Sequence, residues 1–146
     1  MGYASECPKH EIFYPALGEC PECLKEAANM SKPMNAYRSA IWITTQFEAF
    51  HAWTGCPFDD VDFLRDRHRH IFHVKLTVPV THSDRDVEFI RFKREVTAFL
   101  HERWPDGELG SMSCEMMGGI ILDHFTNASV CEVSEDGENG AIVGRI

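Results

Sequence analysis

In RHRHIFHVKL, residues 67–76, every second position is His68, His70, Phe72, Val74 or Leu76. A β-strand directs residues i, i+2 and i+4 to one face, so the pattern predicts an apolar strand face that opens with two imidazoles. Such a pair is either polar decoration at a strand end or a pair of ligands. The stretch IWITTQFEAFHAW (41–53) bears on the choice. It is rich in β-branched and aromatic residues and places Phe47, Ala49, His51 and Trp53 on one face of a second strand. Paired as an antiparallel hairpin with HRHIFHVKLTVPV (68–80), it brings His51 to His68 and His70 at one end of one sheet face. Three histidines on rigid strands with a fourth position open form the ligand set of a catalytic zinc ion. His51, His68 and His70 are therefore the predicted ligands of one Zn2+.

Outward from this hairpin, FIRFKREVTAFLHERW (89–104) carries Phe89, Phe92, Val96, Phe99 and Leu100 at helical spacing, and Pro105-Asp106-Gly107 ends the run. SCEMMGGIILDHF (113–125) predicts a second helix with Ser113 as N-cap, weakened inside by Gly118 and Gly119. SVCEVSE (129–135) and AIVGRI (141–146) read as two short strands about the turn DGENG. The order is ββααββ, which predicts an α+β fold: a four-stranded antiparallel sheet with two helices on one face. Such a sheet leaves raw edges, and pairing them between subunits into a closed barrel is a natural remedy.

With 146 residues, the chain fits one domain and a small appendage. An apolar fraction of 44% with 10 Phe and 3 Trp supports a real core. No apolar run approaches the roughly 20 residues that span a bilayer, and MGYASECPKHE lacks a signal pattern, so the sequence reads as cytoplasmic. A net charge of -9 disfavours general nucleic-acid binding, which needs clustered Lys and Arg. The local exception is Arg65, Arg67 and Arg69, a cluster suited to a phosphorylated small molecule.

Cysteines in a reducing compartment point to metal or reactivity before disulfides. CPKHEIFYPALGECPEC (7–23) gives C-x2-H, nine residues, then C-x2-C. Two such pairs on separate turns cage tetrahedral zinc, which makes Cys7, His10, Cys20 and Cys23 the predicted ligands of a second Zn2+. A segment this short cannot build a core, so the metal would supply most of its folding free energy. Residues 1–35 are read as this zinc knuckle and its linker, NMSKPMNA (29–36), with the main domain over 36–146.

The main domain resembles the 6-pyruvoyl-tetrahydropterin synthase and 6-carboxytetrahydropterin synthase family, of the tunnelling-fold (T-fold) superfamily. Phe47-Glu48-Ala49-Phe50-His51 is similar to the family's Phe-x-Ala-x-His strand, and His68-Arg69-His70-Ile71-Phe72 to its His-Gly-His-x-Tyr. Val87-Glu88-Phe89 through Lys93, Met112-Ser113-Cys114-Glu115 and Val133-Ser134-Glu135-Asp136 follow in the family's order over about residues 41–146. The resemblance implies a homo-oligomer, trimer or hexamer, and lyase chemistry on dihydroneopterin triphosphate or a related pterin or purine nucleotide. It implies that Glu135 anchors the ring, with Glu115 as a second substrate-binding candidate; a carboxylate accepts two hydrogen bonds from an amidine-like N–H pair. The family's cysteine base falls at Leu64 here, leaving Cys56 of the same loop as the catalytic candidate. Its Asp-His pair, in a Leu-Asp-His segment before the second helix, is matched only by Leu122-Asp123-His124 farther along; Asp123 and His124 are the candidates for that role. A catalytically idle protein that binds a purine- or pterin-like ligand or a protein partner is the alternative.

Overall fold

The computed structural model describes residues 4–11, 13–15, 20–30 and 38–145, and the chain divides into two units, Met1–Tyr37 and Arg38–Ile146. In the first unit, β1 (Ala4–Glu6) pairs antiparallel with β2 (Phe13–Pro15) in the register Ser5↔Tyr14. After Cys7 the chain turns sharply. The N–H groups of His10 and Glu11 both donate to the Cys7 carbonyl, at 3.3 and 3.0 Å, and Glu11 takes a left-handed φ of 54°. Helix α1 (Pro21–Met30) starts on a proline, whose missing N–H and preset φ suit a first helical position. Asn29 and Met30, read as linker, complete this helix; residues 31–36 of the predicted linker lie outside the described residues.

The second unit is α+β, a curled five-stranded mixed sheet with helices packed on it. β3 (Ser39–His51) and β4 (His68–Val80) form its long hairpin. Period-two alternation sets which face each residue takes: Ile43, Thr45, Phe47 and Ala49 are buried, as are Phe72, Val74, Leu76 and Val78. Register follows, since a one-residue slip would turn these side chains to solvent. It pairs Phe47 with Phe72, Ala49 with His70 and His51 with His68. A 3-10 segment, Asp59–Arg65, lies in the connection.

α2 (Phe89–Arg103) buries Phe92, Val96 and Leu100. Phe89, which the helical stripe placed inward, is exposed at the first helical position, where the Glu88 carboxylate caps the N–H groups of Ile90 and Arg91. The predicted sheet needs one correction. After α2 the turn at Gly107 (φ 66°) sends Glu108–Gly110, β5, alongside the end of β3 in parallel. The sheet is thus five-stranded and mixed, not four-stranded and antiparallel. Gly107 permits the approach: a Cβ there would lie 3.1 Å from the Glu48 carbonyl oxygen.

α3 (Cys114–His124) is capped by Ser113 and buries Met117, Ile121 and Leu122. Gly118 has a packing reason, because a Cβ there would lie 2.7 Å from Val143 Cγ2. β6 (Val130–Glu135) and β7 (Asn139–Gly144) complete the order β5-β3-β4-β6-β7. The inward faces of the strands and both helices share one core, which includes Phe72, Leu76, Leu100, Met117, Ile121, Cys131 and Val133. No helix among the described residues is long and apolar enough to cross a membrane.

Candidate metal centre

The register His51↔His68, with Ala49 opposite His70, puts three imidazoles at one end of the helix-facing side of the β3–β4 hairpin. Ring centroids are 4.6 Å apart for His51–His68, 5.3 Å for His51–His70 and 5.1 Å for His68–His70. Each ring can offer one nitrogen to a common point, and these atoms lie within 4.8 Å of one another.

The hydrogen bonds of the opposite ring edges are more informative than the clustering. His51 Nδ1 lies 3.1 Å from the Met112 carbonyl oxygen, and His68 Nδ1 lies 2.7 Å from that of Asp66. Carbonyl oxygens only accept, so in both rings Nδ1 carries a proton, and Nε2 is the nitrogen left to serve as a ligand. His70 Nδ1 lies 2.6 Å from Asp136 Oδ2, whose other oxygen accepts the Ile71 N–H at 2.9 Å. The His70 bond holds the Asp136 carboxyl below the usual carboxylate range, with the Ile71 bond adding to it. All three rings are tied at Nδ1 and turned inward at Nε2.

Those three Nε2 atoms are also the buried side-chain polar atoms that have no hydrogen-bond partner among the described residues. Buried polar atoms are nearly always satisfied, so three orphans at one point signal a missing partner. A ligating imidazole that donates its other N–H to a carbonyl or carboxylate is the usual surrounding of a metal-bound histidine. The site is a candidate metal centre on that ground.

A cleft of about 540 Å³ opens over it, lined by His51, His68, Leu64, Cys114, Glu115 and Glu135 among others. Glu135 ends β6 opposite Phe72, on the same face as the histidines. Its carboxylate oxygens stand 3.4 Å from His51 Nε2 and 3.7 Å from His70 Nε2. Cys114, which the sequence reading did not weigh, donates to Glu135 Oε1 at 3.8 Å; burial, with Glu135's charge beside it, pushes that thiol up to about 12. Glu115 sits in the first turn of α3, its carboxyl held below the usual range by the Ser113 hydroxyl.

The other predicted site residues lie elsewhere. Cys56 is buried in the β3–β4 connection, its thiol aimed at the carbonyls of Phe58 and Val61 at 3.8 and 4.0 Å, and it does not line the cleft. Leu64 does line it. Asp123 and His124 end α3, nine residues or roughly 13 Å along the axis from the cleft end. The His124 ring stacks on Phe99, 4.1 Å between centroids. The arginine cluster is neutralised: Arg65 pairs with Asp59, Arg67 with Glu108 and Arg69 with Glu48.

In the N-terminal unit, Cys7, His10, Cys20 and Cys23 form a second candidate metal-binding group. His10 Nδ1 is 3.5 Å from Cys7 Sγ, 3.7 Å from Cys20 Sγ and 3.5 Å from Cys23 Sγ; the Cys7 and Cys23 sulfurs are 3.6 Å apart. The Lys9 N–H draws the Cys7 thiol down to about 6, while Cys7 pushes the Cys23 thiol up to about 11.

Comparison of the chain with protein-family models finds no match, and neither does comparison with curated proteins.

Proposed function

We propose that the chain is a divergent T-fold zinc protein of the 6-pyruvoyl/6-carboxytetrahydropterin synthase type, acting as a lyase on a pterin or related purine-derived nucleotide. The observation that carries this reading is the set of three orphaned Nε2 atoms, each on a ring tied at Nδ1, beside an open cleft that His51 and His68 line. The donor sets fit zinc. For Zn–S near 2.3 Å and Zn–N near 2.05 Å, a tetrahedron has S···S and S···N edges of about 3.8 and 3.6 Å. The four knuckle distances, 3.5 to 3.7 Å, match those edges. The all-nitrogen set of the cleft suits the same ion with a position left for a further ligand.

Zinc at the three histidines would act as a Lewis acid on the oxygens of a substrate side chain. The chain's own groups do the rest. The Met112 and Asp66 carbonyls and the Asp136 carboxylate hold the rings in one tautomer and orientation. Glu115 and Glu135 offer carboxylates in the cleft to an amidine-like N–H pair, a charge-assisted bidentate contact. Cys114 Sγ holds its proton toward Glu135 Oε1, and Leu64 narrows the cleft with an apolar side chain. Cys56, Asp123 and His124 stand away from this cleft, and the reading does not use them. The exposed edges of β7 and of β3 beyond β5 suit strand pairing in a homo-oligomer.

Leu64 favours a second reading. An apolar side chain lines the cleft where the resembled family has its base, which suits a protein that binds the ring without turning it over. One experiment separates the two. Purified protein is assayed for metal and then incubated with 7,8-dihydroneopterin triphosphate, with products followed by mass spectrometry. The lyase reading expects zinc at both groups and loss of the triphosphate from the substrate. Zinc at both groups with unchanged substrate and a co-purified purine or pterin selects the binding reading, and zinc confined to the knuckle sinks both.

A further inference from the structure

The cleft holds a fourth group whose placement the three-histidine reading does not account for. Glu135 aims one carboxylate oxygen at His51 Nε2 (3.4 Å) and the other at His70 Nε2 (3.7 Å). Neither contact is a hydrogen bond, since both nitrogens lack a partner. In a neutral His51 ring with its proton on Nδ1, Nε2 faces Glu135 with lone pair against lone pair. Such a convergence is repulsive unless a cation stands among the four groups or the facing imidazole carries a second proton. Around zinc, with Zn–N near 2.05 Å and a carboxylate Zn–O near 2.1 Å, the N···O edge of a tetrahedron is about 3.4 Å. The observed separations sit at that edge.

The geometry points to Glu135 as a fourth, displaceable ligand that closes the metal site at rest. The inference rests on the reading that the three histidines hold a divalent ion. Glu135 is suited to leaving. It is the last residue of β6, before a left-handed Asp136 (φ 52°), its side chain is 28% exposed, and it borders a cleft with room for a ligand. Its contact with the Cys114 thiol gives Oε1 a second partner besides His51. A substrate offering two adjacent oxygen donors would replace the single carboxylate, and the freed carboxylate would accept N–H groups of that same substrate. This assigns one residue both a resting and a working role.

The test uses the full chain loaded with zinc at the knuckle and cobalt(II) at the histidine site, read by visible absorption. Azide, a monodentate probe, should leave the wild-type spectrum unchanged, whereas acetohydroxamate, a bidentate oxygen donor, should shift it. Glu135→Gln should bind azide with a spectral shift, and Glu135→Asp, whose shorter carboxylate falls short of the ion, should behave like it. Cobalt affinity should drop at least about tenfold in both variants. If azide shifts the wild-type spectrum as it shifts the variants', or acetohydroxamate leaves it untouched, Glu135 is not a displaceable ligand. If cobalt fails to bind the wild-type histidine site at all, the metal reading falls, and this inference with it.

Discussion

Asp136 is the anchor through which the histidine site can be weakened without touching a ligand. Two of the three Nδ1 acceptors are main-chain carbonyls, Met112 and Asp66, which no side-chain substitution removes. The third is a carboxylate with two duties: Oδ2 takes His70 Nδ1–H at 2.6 Å and Oδ1 takes the Ile71 N–H at 2.9 Å. Two donors meet two separate oxygens, so an amide cannot serve both. In Asp136→Asn, one orientation leaves Ile71 facing an NH2 group, and the other sets NH2 against His70 and favours the wrong tautomer. Losing such an outer partner typically weakens a metal site by roughly 10- to 100-fold. The short, charge-assisted bond to His70 places Asp136→Ala toward the upper end and Asp136→Asn, which retains one acceptor, near the lower. Competition with a chromophoric chelator on the full chain would resolve two steps, and only the histidine step should move, the cysteine-rich step serving as internal control. Glu132→Gln also removes one negative charge from the sheet, but Glu132 pairs with Lys75, so it should leave both steps in place. Unchanged affinity at the histidine site in Asp136→Ala would refute the claim that the outer carboxylate orients the ring.

Three further outcomes are expected. Gly119 faces open space within α3, so Gly119→Ala should stabilise the chain by about 0.5–1 kcal/mol in urea unfolding at fixed metal concentration. Gly118→Ala adds a Cβ 2.7 Å from Val143 Cγ2, and overpacking of about 1–3 kcal/mol should cancel or reverse the same helical gain; equal stabilisation by both would contradict the packing described. The Arg91 and Ile90 N–H groups hold the Glu88 carboxyl below its ordinary range, and the Thr81 N–H and hydroxyl do the same for Asp86. Depressed folded values mean that their contribution is complete above the ordinary carboxylate range and is lost as pH falls from there through the lowered folded values. Urea midpoints measured from about pH 7 to about pH 3 should therefore fall more steeply for wild type than for Glu88→Ala, and parallel slopes would count against the cap. Removing zinc from zinc-loaded protein with a chelator should abolish amide protection over Pro21–Met30, because Cys7 and Cys20 of the candidate metal group are the buried residues among those described in that unit; protection that survives in metal-free protein would show the knuckle folds without it.

The sequence reached the hairpin and its three imidazoles because period-two alternation is a backbone property, and the pattern of residues 68–80 runs unbroken through strand β4. It reached α2 and α3 through helical spacing and caps. β5 escaped because three residues are too few to show a period, and their pairing depends on Gly107 at a distance from the strand they join. The same limit hides most of what orients the site. The Met112 and Asp66 carbonyls could belong to any residue type, so composition carries no mark of them. Cys114 reads as an ordinary first-turn residue until β6 brings Glu135 beside it.

Asp136 and Glu135 show how one turn brings two adjacent carboxylates to the three histidines, of which the sequence pointed only to Glu135. Asp136 adopts φ 52°, which Asp tolerates better than most residues, and on that ground alone it passes for a turn former. That same twist at the end of β6 directs its carboxylate back to His70 while Glu135, one residue earlier, stays on the inward face. Strand alternation would send two adjacent side chains to opposite faces, and the left-handed step lets both reach the same histidine cluster. A substitution that forbids the left-handed step, such as Asp136→Val, should therefore disturb the histidine site more than Asp136→Ala does. If the two weaken metal binding equally, the twist contributes nothing beyond the carboxylate it carries.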